Sequence, residues 1–195
     1  MRILISCEFS GIVRDAFIRR SETNNLNHEI ISCDLLPSES SFGPHLQLDV
    51  LSILNDGWDL MIAFPPCTYL ARSGIHRNRD FPSREAKTRD AATFFKRLWN
   101  APIPRICIEN PPGVIHKLTG VPVHQTVHPW QFGDPISKTV CLRLKGLKPL
   151  RHRKYVPPPY TSANDHPASY DRAQNRSRFF PGIAAAMAEQ WGSYD

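Results

Sequence analysis

Residues 59–67 of the chain have the sequence DLMIAFPPC, an apolar run that stops abruptly at two prolines. A short apolar run bounded by turn-forming residues is typical of a strand that is buried on both faces. Residues 105–113, RICIENPPG, repeat this arrangement, since an apolar run again ends in polar residues and a Pro-Pro turn. The two runs therefore predict neighbouring strands of a parallel sheet, with loops that prolines stiffen where the strands end.

Short apolar runs also alternate with helical patterns on either side, as in a parallel sheet with crossover helices. The other predicted strands are residues 3–5, 29–33 and the weaker 46–50. Helices are predicted at residues 12–20, 84–99 and 181–191. In the first of these helices, the spacing of apolar residues predicts that Arg14, Asp15, Arg19 and Arg20 lie on the outer face.

The pattern changes in the last third of the chain. Residues 127–132 and 139–144 are separated by Gly-Asp-Pro, which predicts a terminal antiparallel hairpin. Residues 148–180 are polar and proline-rich, which predicts a loop or flap within the same domain. We therefore expect residues 1–195 to form one α/β domain with a mostly parallel sheet.

Composition narrows the class of protein. A chain of 195 residues with 41% hydrophobic residues is long enough for one buried core. It contains no apolar run of the roughly 18 residues that would be needed to span a membrane. Five cysteines without a CxxC pair argue against a disulfide framework, so a cytoplasmic protein is expected. The net charge of +6 favours a polyanionic partner.

Polar residues at the predicted strand ends suggest a nucleoside site, because ligands of open parallel sheets bind beyond the carboxyl ends of the strands. Asp34 is suited to accept from ribose hydroxyls and Asp49 from an adenine amino group, although either acid could instead be a helix N-cap. The turn at residues 9–11, Phe-Ser-Gly, has too few glycines for a dinucleotide fingerprint, and a Walker loop is absent. A cofactor without a pyrophosphate is therefore expected.

Cys67 is the candidate nucleophile, since it follows two prolines on a loop and not in an apolar strand. Glu109 ends the predicted neighbouring strand and is its candidate acid partner. The remaining cysteines are expected to be inert core thiols; they are Cys7, Cys33, Cys107 and Cys141. His116, His124 and His128 are loosely spaced like zinc ligands, but no paired cysteines complete a site, so no metal is expected.

The order of these motifs resembles the catalytic core of the DNA cytosine-C5 methyltransferases. Residues 63–74, AFPPCTYLARSG, resemble the Pro-Cys loop of that family, and residues 105–113 resemble its Glu-Asn-Val strand end. Residues 9–11 stand where the family has its Phe-x-Gly cofactor turn, and residues 181–191 are similar to the helix of its last motif. The resemblance covers about residues 1–144 and that tail.

This resemblance implies a Rossmann-like sheet, S-adenosyl-L-methionine as cofactor and DNA as substrate. It implies that Cys67 adds to C6 of cytosine while Glu109 acts at N3. The implied cofactor-binding residues are Phe9, Ser10, Gly11, Asp34, Leu35, Asp49, Val50 and Pro65. The implied substrate-binding residues are Pro66, Asn110 and Lys138.

The chain departs from the family pattern in several places. Val13 replaces a second glycine, Thr68 replaces the glutamine after the nucleophile, and Lys138 is the one charge in the segment that corresponds to Gln-x-Arg-x-Arg. Roughly forty residues separate the predicted hairpin from the last helix, too few for a target-recognition domain. A separate recognition subunit, a homodimer or the basic residues 151–155 and 172–178 are the alternatives for holding DNA.

Three other functions compete with this one. The first is a non-catalytic binder of cofactor or DNA, such as an inhibitor or decoy, and the second is a methyltransferase acting on a free pyrimidine nucleotide. The third, methylation of an exocyclic amino group, is disfavoured because Phe64 cannot accept a hydrogen bond from an amine.

Overall fold

The computed structural model describes residues 1–72, 81–152, 155–157 and 178–193. The strands are β1 (Arg2–Ser6), β2 (Glu29–Asp34), β3 (His45–Gln47), β4 (Leu60–Ala63), β5 (Arg105–Asn110), β6 (Gln125–Val127) and β7 (Val140–Lys145). The α-helices are α1 (Ile12–Thr23), α2 (Pro82–Trp99), α3 (Ile115–Thr119) and α4 (Pro181–Trp191). Two 3₁₀ turns occupy Val50–Ser52 and Pro129–Gln131.

The described strands form one seven-stranded sheet in the order β3-β2-β1-β4-β5-β7-β6. The first five strands in this order are parallel, whereas β7 pairs antiparallel with both β5 and β6. The prediction of an α/β fold with a mostly parallel sheet and a terminal antiparallel pair is therefore confirmed. The direction of strand order reverses between β1 and β4, and ligands of open sheets bind at such a switch point.

Helices cover both faces of the sheet, because alternate residues of the central strands are buried on each side. On one face, α1 and α4 pack over Ile3, Ile5 and Ile62 of the central strands. On the other face, α2 and α3 pack over residues that include Leu4 and Ile106. The loops therefore border the sheet at the two ends of its strands, and the loops at the carboxyl ends carry the candidate site.

Two predicted strand boundaries are wrong. The strand predicted at residues 127–132 ends at Val127, because Pro129 has no N–H for a ladder and begins a 3₁₀ turn. The strand predicted at residues 46–50 ends at Gln47, and Asp49 instead caps the 3₁₀ turn that follows. The short helix α3 had no counterpart in the sequence pattern.

The prediction for the outer face of α1 is also wrong for two of its four charged residues. Arg14 is fully buried and Asp15 is 6% exposed, because a loop between β2 and β3 folds over them. The Arg14 guanidinium and the Asp15 carboxylate form an ion pair at 2.8 Å, and this pairing offsets part of the free-energy cost of burying the two charges.

Most of the loop predicted at residues 148–180 lies outside the described residues, as do Ser73 and Gly74 of the Pro-Cys loop and residues 172–177. In the described part of the chain, no helix is long and apolar enough to cross a membrane.

Candidate active site

The ends of β4 and β5 bring the Pro-Cys loop and Glu109 to the same edge of the sheet. Ala63, the last residue of β4, pairs with Ile108, the residue directly before Glu109. The side-chain amide of Asn110 then donates to the carbonyl of Pro65 over 3.1 Å. The two strand ends predicted to carry the chemistry are thus neighbours, and a buried hydrogen bond fastens one to the other.

A second set of contacts fixes the turn that contains Cys67. The carbonyl of Cys67 accepts from the backbone N–H of Leu70 at 3.0 Å and of Ala71 at 2.9 Å. Ala71 in turn forms a bridge with Gly113, where a Cβ atom would overlap the Leu70 carbonyl. Only glycine therefore allows the turn after β5 to approach so closely, and the half-buried Cys67 sits on a loop with little freedom to move.

Glu109 is half-buried at the end of β5, and burial raises the pKa of its carboxyl to about 7. The positive charges of Lys138 and Arg143 act in the opposite direction, but burial is the larger influence. Near neutral pH, the group therefore exists in both protonation states. A carboxyl in this condition can donate a proton to a heteroaromatic nitrogen and take it back.

Aromatic side chains bring the segment before α4 to this edge. The rings of Phe64 and Phe179 lie 4.7 Å apart, and those of Phe179 and Phe180 lie 5.7 Å apart. The ammonium of Lys138, a predicted substrate contact, lies 5.0 Å from the Phe180 ring. Arg178 of the same segment pairs with Glu39 at 2.8 Å. The start of α4 thus contacts both the end of β4 and the loop after β2.

Directly before the predicted cofactor turn lies Glu8, a buried carboxylate that was not predicted to be a site residue. Its Oε1 accepts from the Ser10 hydroxyl at 2.7 Å and from the Val13 N–H at 3.3 Å. Its Oε2 is buried and has no hydrogen-bond partner among the described residues, and burial raises its pKa. Gly11 completes the turn with φ of 77°, and a Cβ there would lie 2.6 Å from the Cβ of Ser40.

The two predicted nucleoside acids lie near each other beyond β2 and β3. Both carboxylates help to raise the pKa of the Cys7 thiol, after the larger effect of burial. Asp34 Oδ1 accepts from Leu36 N–H at 2.9 Å, and Asp49 Oδ1 accepts from Leu51 N–H at 3.0 Å. Asp49 is therefore an N-cap, the alternative considered for it, although it remains exposed.

The remaining predicted contacts differ in how accessible they are. Leu35 beside Asp34 is 71% exposed, which is unusual for an apolar side chain and leaves it available to a ligand. Val50, by contrast, is buried in the core. Pro65 is buried and Pro66 is exposed, whereas the buried amide of Asn110 is occupied with the Pro65 carbonyl.

A buried polar network around Arg14 holds the loop at residues 35–44 against the Gly11 turn. Arg14 Nη1 donates to Ser32 Oγ at 3.1 Å and to Ser38 Oγ at 3.2 Å, and Nη2 donates to the Ser40 carbonyl at 3.0 Å. Asp15 closes the network by accepting from the Ser40 hydroxyl at 2.5 Å. No sequence motif marks these residues, since a charged helix residue ordinarily faces solvent.

The four thiols predicted to be inert lie in hydrophobic surroundings. Cys33, Cys107 and Cys141 are buried and Cys7 is half-buried. Burial is the main cause that raises the pKa of each of these thiols, to about 11 for Cys33. No group of three His, Cys, Asp or Glu side chains is arranged to hold a metal ion in the part of the chain that the structure describes.

A surface groove of about 480 Å³ lies between α1 and α4, away from Cys67 and Glu109. Among the described residues that line it, Ser10 is the one residue predicted to bind the cofactor. The groove therefore does not coincide with the candidate site at the strand ends.

A scan with models of known protein families finds none that matches this chain, and a search of curated protein sequences likewise finds no match. The resemblance to the cytosine-C5 methyltransferases therefore depends on the motifs in the sequence and on the arrangement of the strand ends.

Proposed function

We propose that the chain is an S-adenosyl-L-methionine-dependent DNA cytosine-C5 methyltransferase with Cys67 as nucleophile and Glu109 as acid. The observation that carries this proposal is the pairing of the two strand ends. A thiol and a carboxyl with a pKa of about 7 follow neighbouring parallel strands, and the bond from Asn110 to Pro65 fastens their loops together. That is the pair of groups that addition to a pyrimidine ring requires.

The residues beyond β1 and β2 suit the proposed cofactor. S-adenosylmethionine carries an ammonium and a sulfonium cation, a ribose diol and an adenine ring. Carboxylates of Glu8, Asp34 and Asp49 surround this edge, and the buried Glu8 Oε2 lacks a partner among the described residues. The exposed Leu35 offers an apolar surface for a flat ring. When bound, the cofactor supplies an electrophilic methyl group.

The strand order lends further support. The run β3-β2-β1-β4-β5 shares its order with the first five strands of the doubly wound nucleotide-binding sheet. In such sheets the ligand binds across the switch point, which here lies between β1 and β4. The proposed cofactor and nucleophile loops follow these two strands, and a Rossmann-like fold is accordingly part of the proposal.

The chain's own residues account for the proton and electron movements of the reaction. The Cys67 thiolate forms a bond to C6 of cytosine while Glu109 gives its proton to N3, so that C5 becomes nucleophilic. C5 would then take the methyl group as its bond to the sulfonium sulfur breaks, leaving a neutral thioether. Water acting as a base removes the C5 proton, and the thiolate leaves C6 while N3 returns its proton to Glu109. A cytosine in duplex DNA would have to leave the helix stack first.

The decisive experiment uses DNA that contains 5-fluorocytosine, together with labelled S-adenosylmethionine. Because fluorine replaces the hydrogen that must leave C5, the covalent adduct through Cys67 accumulates and resists denaturation. We expect the adduct with the wild-type protein and with Cys107→Ala, which removes a buried thiol of the same sheet, but not with Cys67→Ala. An adduct that survives Cys67→Ala contradicts the proposed mechanism.

Glu109→Gln tests the acid separately. Loss of a general acid commonly lowers the rate of transfer by about 10² to 10⁴-fold. We expect this loss in tritium transfer to unmodified DNA, with calorimetry showing unchanged cofactor binding. Cofactor binding without turnover on any DNA or nucleotide would instead favour the non-catalytic binder, and an adduct with a fluorinated free nucleotide alone would favour the nucleotide enzyme.

A further inference from the structure

Three aromatic side chains cluster beyond the end of β6 and the start of β7. The rings of His128 and Trp130 lie 5.4 Å apart and are nearly parallel, at 13°. The Tyr155 ring meets Trp130 edge to face at 5.2 Å. Tyr155 is 66% exposed, so one end of this aromatic group is open to solvent. Neither Cys67 nor Glu109 needs these side chains for the proposed chemistry.

The group stands on the same edge of the sheet as Glu109. Val127, the last residue of β6, pairs with Val140 at the start of β7, and Cys141 of β7 pairs with Asn110 of β5. Two strand spacings, about 10 Å, therefore separate the end of β6 from the end of β5. About three nucleotides of a stacked strand, at about 3.4 Å each, cover that distance.

Lys138 connects the aromatic group to the proposed reaction centre. Its carbonyl lies 3.1 Å from His128 Nδ1, and its ammonium is close enough to Glu109 to oppose the rise in the carboxyl's pKa. Lys138 therefore contacts the aromatic group through its backbone carbonyl and lies near Glu109 through its side chain. A single strand of DNA lying along this edge of the sheet would therefore meet the positive charge of Lys138 between the aromatic group and Glu109.

Described residues before and after Tyr155 form hydrogen bonds with β6 and with the turn that follows it. The side chain of Gln125 donates to and accepts from the backbone of Leu150, at 2.8 Å in each case. The N–H of Val156 donates to the Trp130 carbonyl at 2.9 Å. The residue directly after Tyr155 is thus hydrogen-bonded to Trp130, so a backbone contact and a ring contact both hold these two aromatic residues together.

We propose that His128, Trp130 and Tyr155 form a stacking platform for single-stranded DNA that leads a cytosine to Cys67 and Glu109. Aromatic faces hold bases of any sequence, and basic residues hold the phosphates. Lys138 and Arg151 supply such charges among the described residues, and the chain as a whole carries +6. The proposal deepens the proposed function and rests on it for the identity of the neighbouring reaction centre.

Fluorescence anisotropy with a labelled 12-nucleotide single strand, measured without cofactor, tests the platform. Loss of one stacked base costs about 5- to 150-fold in affinity, which we expect for Tyr155→Ala. Tyr155→Phe keeps the ring and should bind within about twofold of wild type. A blunt duplex of the same sequence hides its base faces, so Tyr155→Ala should leave duplex affinity unchanged. Equal single-strand binding by Tyr155→Ala and wild type, or an equal loss on duplex, overturns the proposal.

A crosslinking measurement on the wild-type protein does not depend on any variant folding. Irradiation of a strand containing 5-iodouracil should attach it to Tyr155 or Trp130, as identified by mass spectrometry, and attachment only elsewhere overturns the platform. Because both measurements omit methyl transfer, the two proposals can fail separately. If single-strand binding depends on Tyr155 but no methyl group is transferred, only the proposed enzymatic function is rejected. If methyl transfer occurs but single-strand binding does not depend on Tyr155, only the platform is rejected.

Discussion

The ends of β4 and β5 and the ends of β1 and β2 belong to one edge of the sheet, but different interactions hold them in place. Around Cys67, prolines restrict the backbone, and hydrogen bonds between loops fix it. Around Gly11, the buried guanidinium of Arg14 connects α1 to strand β2 and to the loop that follows it. One side is therefore held mainly by the backbone, and the other by a side-chain network that is centred on a single charge.

This difference corresponds to what each side has to do under the proposal. Around Cys67 and Glu109 the contacts position the loops, and burial raises the pKa of the Glu109 carboxyl to about 7. The Arg14 network holds the loop that follows Asp34 and Leu35, and under the proposal these two residues only have to bind a ligand. A buried pair is costly to break, whereas a backbone-held loop depends little on any one side chain.

Removing Arg14 should have the largest effect on stability. Arg14→Leu leaves the Asp15 carboxylate buried without its partner, and loss of one partner of a buried pair costs about 3–5 kcal/mol in the free energy of unfolding. Urea denaturation monitored by circular dichroism measures this loss. Because two apolar residues can replace a buried pair, the double variant Arg14→Leu/Asp15→Leu should recover part of it.

Arg89→Ala is the matched control for this experiment. Arg89 pairs with Glu85 on the exposed side of α2, with side chains 65% and 60% exposed, so its removal should cost less than about 1 kcal/mol. If Arg14→Leu costs no more than Arg89→Ala, the network does not hold the loop and the two sides of the edge are not built differently.

The sequence predicted one side of this edge much better than the other. The Pro-Cys turn and Glu109 are recognisable because prolines and strand ends leave local patterns, and most strands and helices follow from the spacing of apolar residues. Arg14 leaves no such pattern, since its burial depends on a loop that approaches from more than twenty residues away. The hydrogen bond from Asn110 to Pro65 is likewise a tertiary contact, which no local pattern predicts. The 3₁₀ turn at Pro129 lies within a run of residues that has the pattern of a strand.

Removing the charge of Glu109 should have the next largest effect on the free energy of unfolding, and this effect depends on pH. The folded-state pKa of about 7 exceeds the ordinary value of 4.5, so folding disfavours the carboxylate, and stability falls as pH rises between these values. Glu109→Gln removes this penalty and should be more stable than wild type by roughly 2–3 kcal/mol at pH 8, with little difference at pH 4.5. Urea denaturation of both proteins at the two pH values measures the difference. If the two proteins differ in the free energy of unfolding by the same amount at pH 4.5 and at pH 8, the Glu109 carboxyl is not desolvated.

Asn110→Ala should have the smallest effect of the three. The variant loses the hydrogen bonds from the Asn110 amide to the carbonyls of Pro65 and Glu109, and a neutral hydrogen bond contributes about 0.5–1.5 kcal/mol. It also removes the Asn110 Oδ1 atom, which is buried without a partner among the described residues, so part of the loss is offset. We therefore expect a net cost of about 1 kcal/mol by urea denaturation, compared with no more than about 0.5 kcal/mol for the exposed Asn100→Ala. A cost for Asn110→Ala as large as that for Arg14→Leu would mean that a single side chain also holds the β4 and β5 side of the edge.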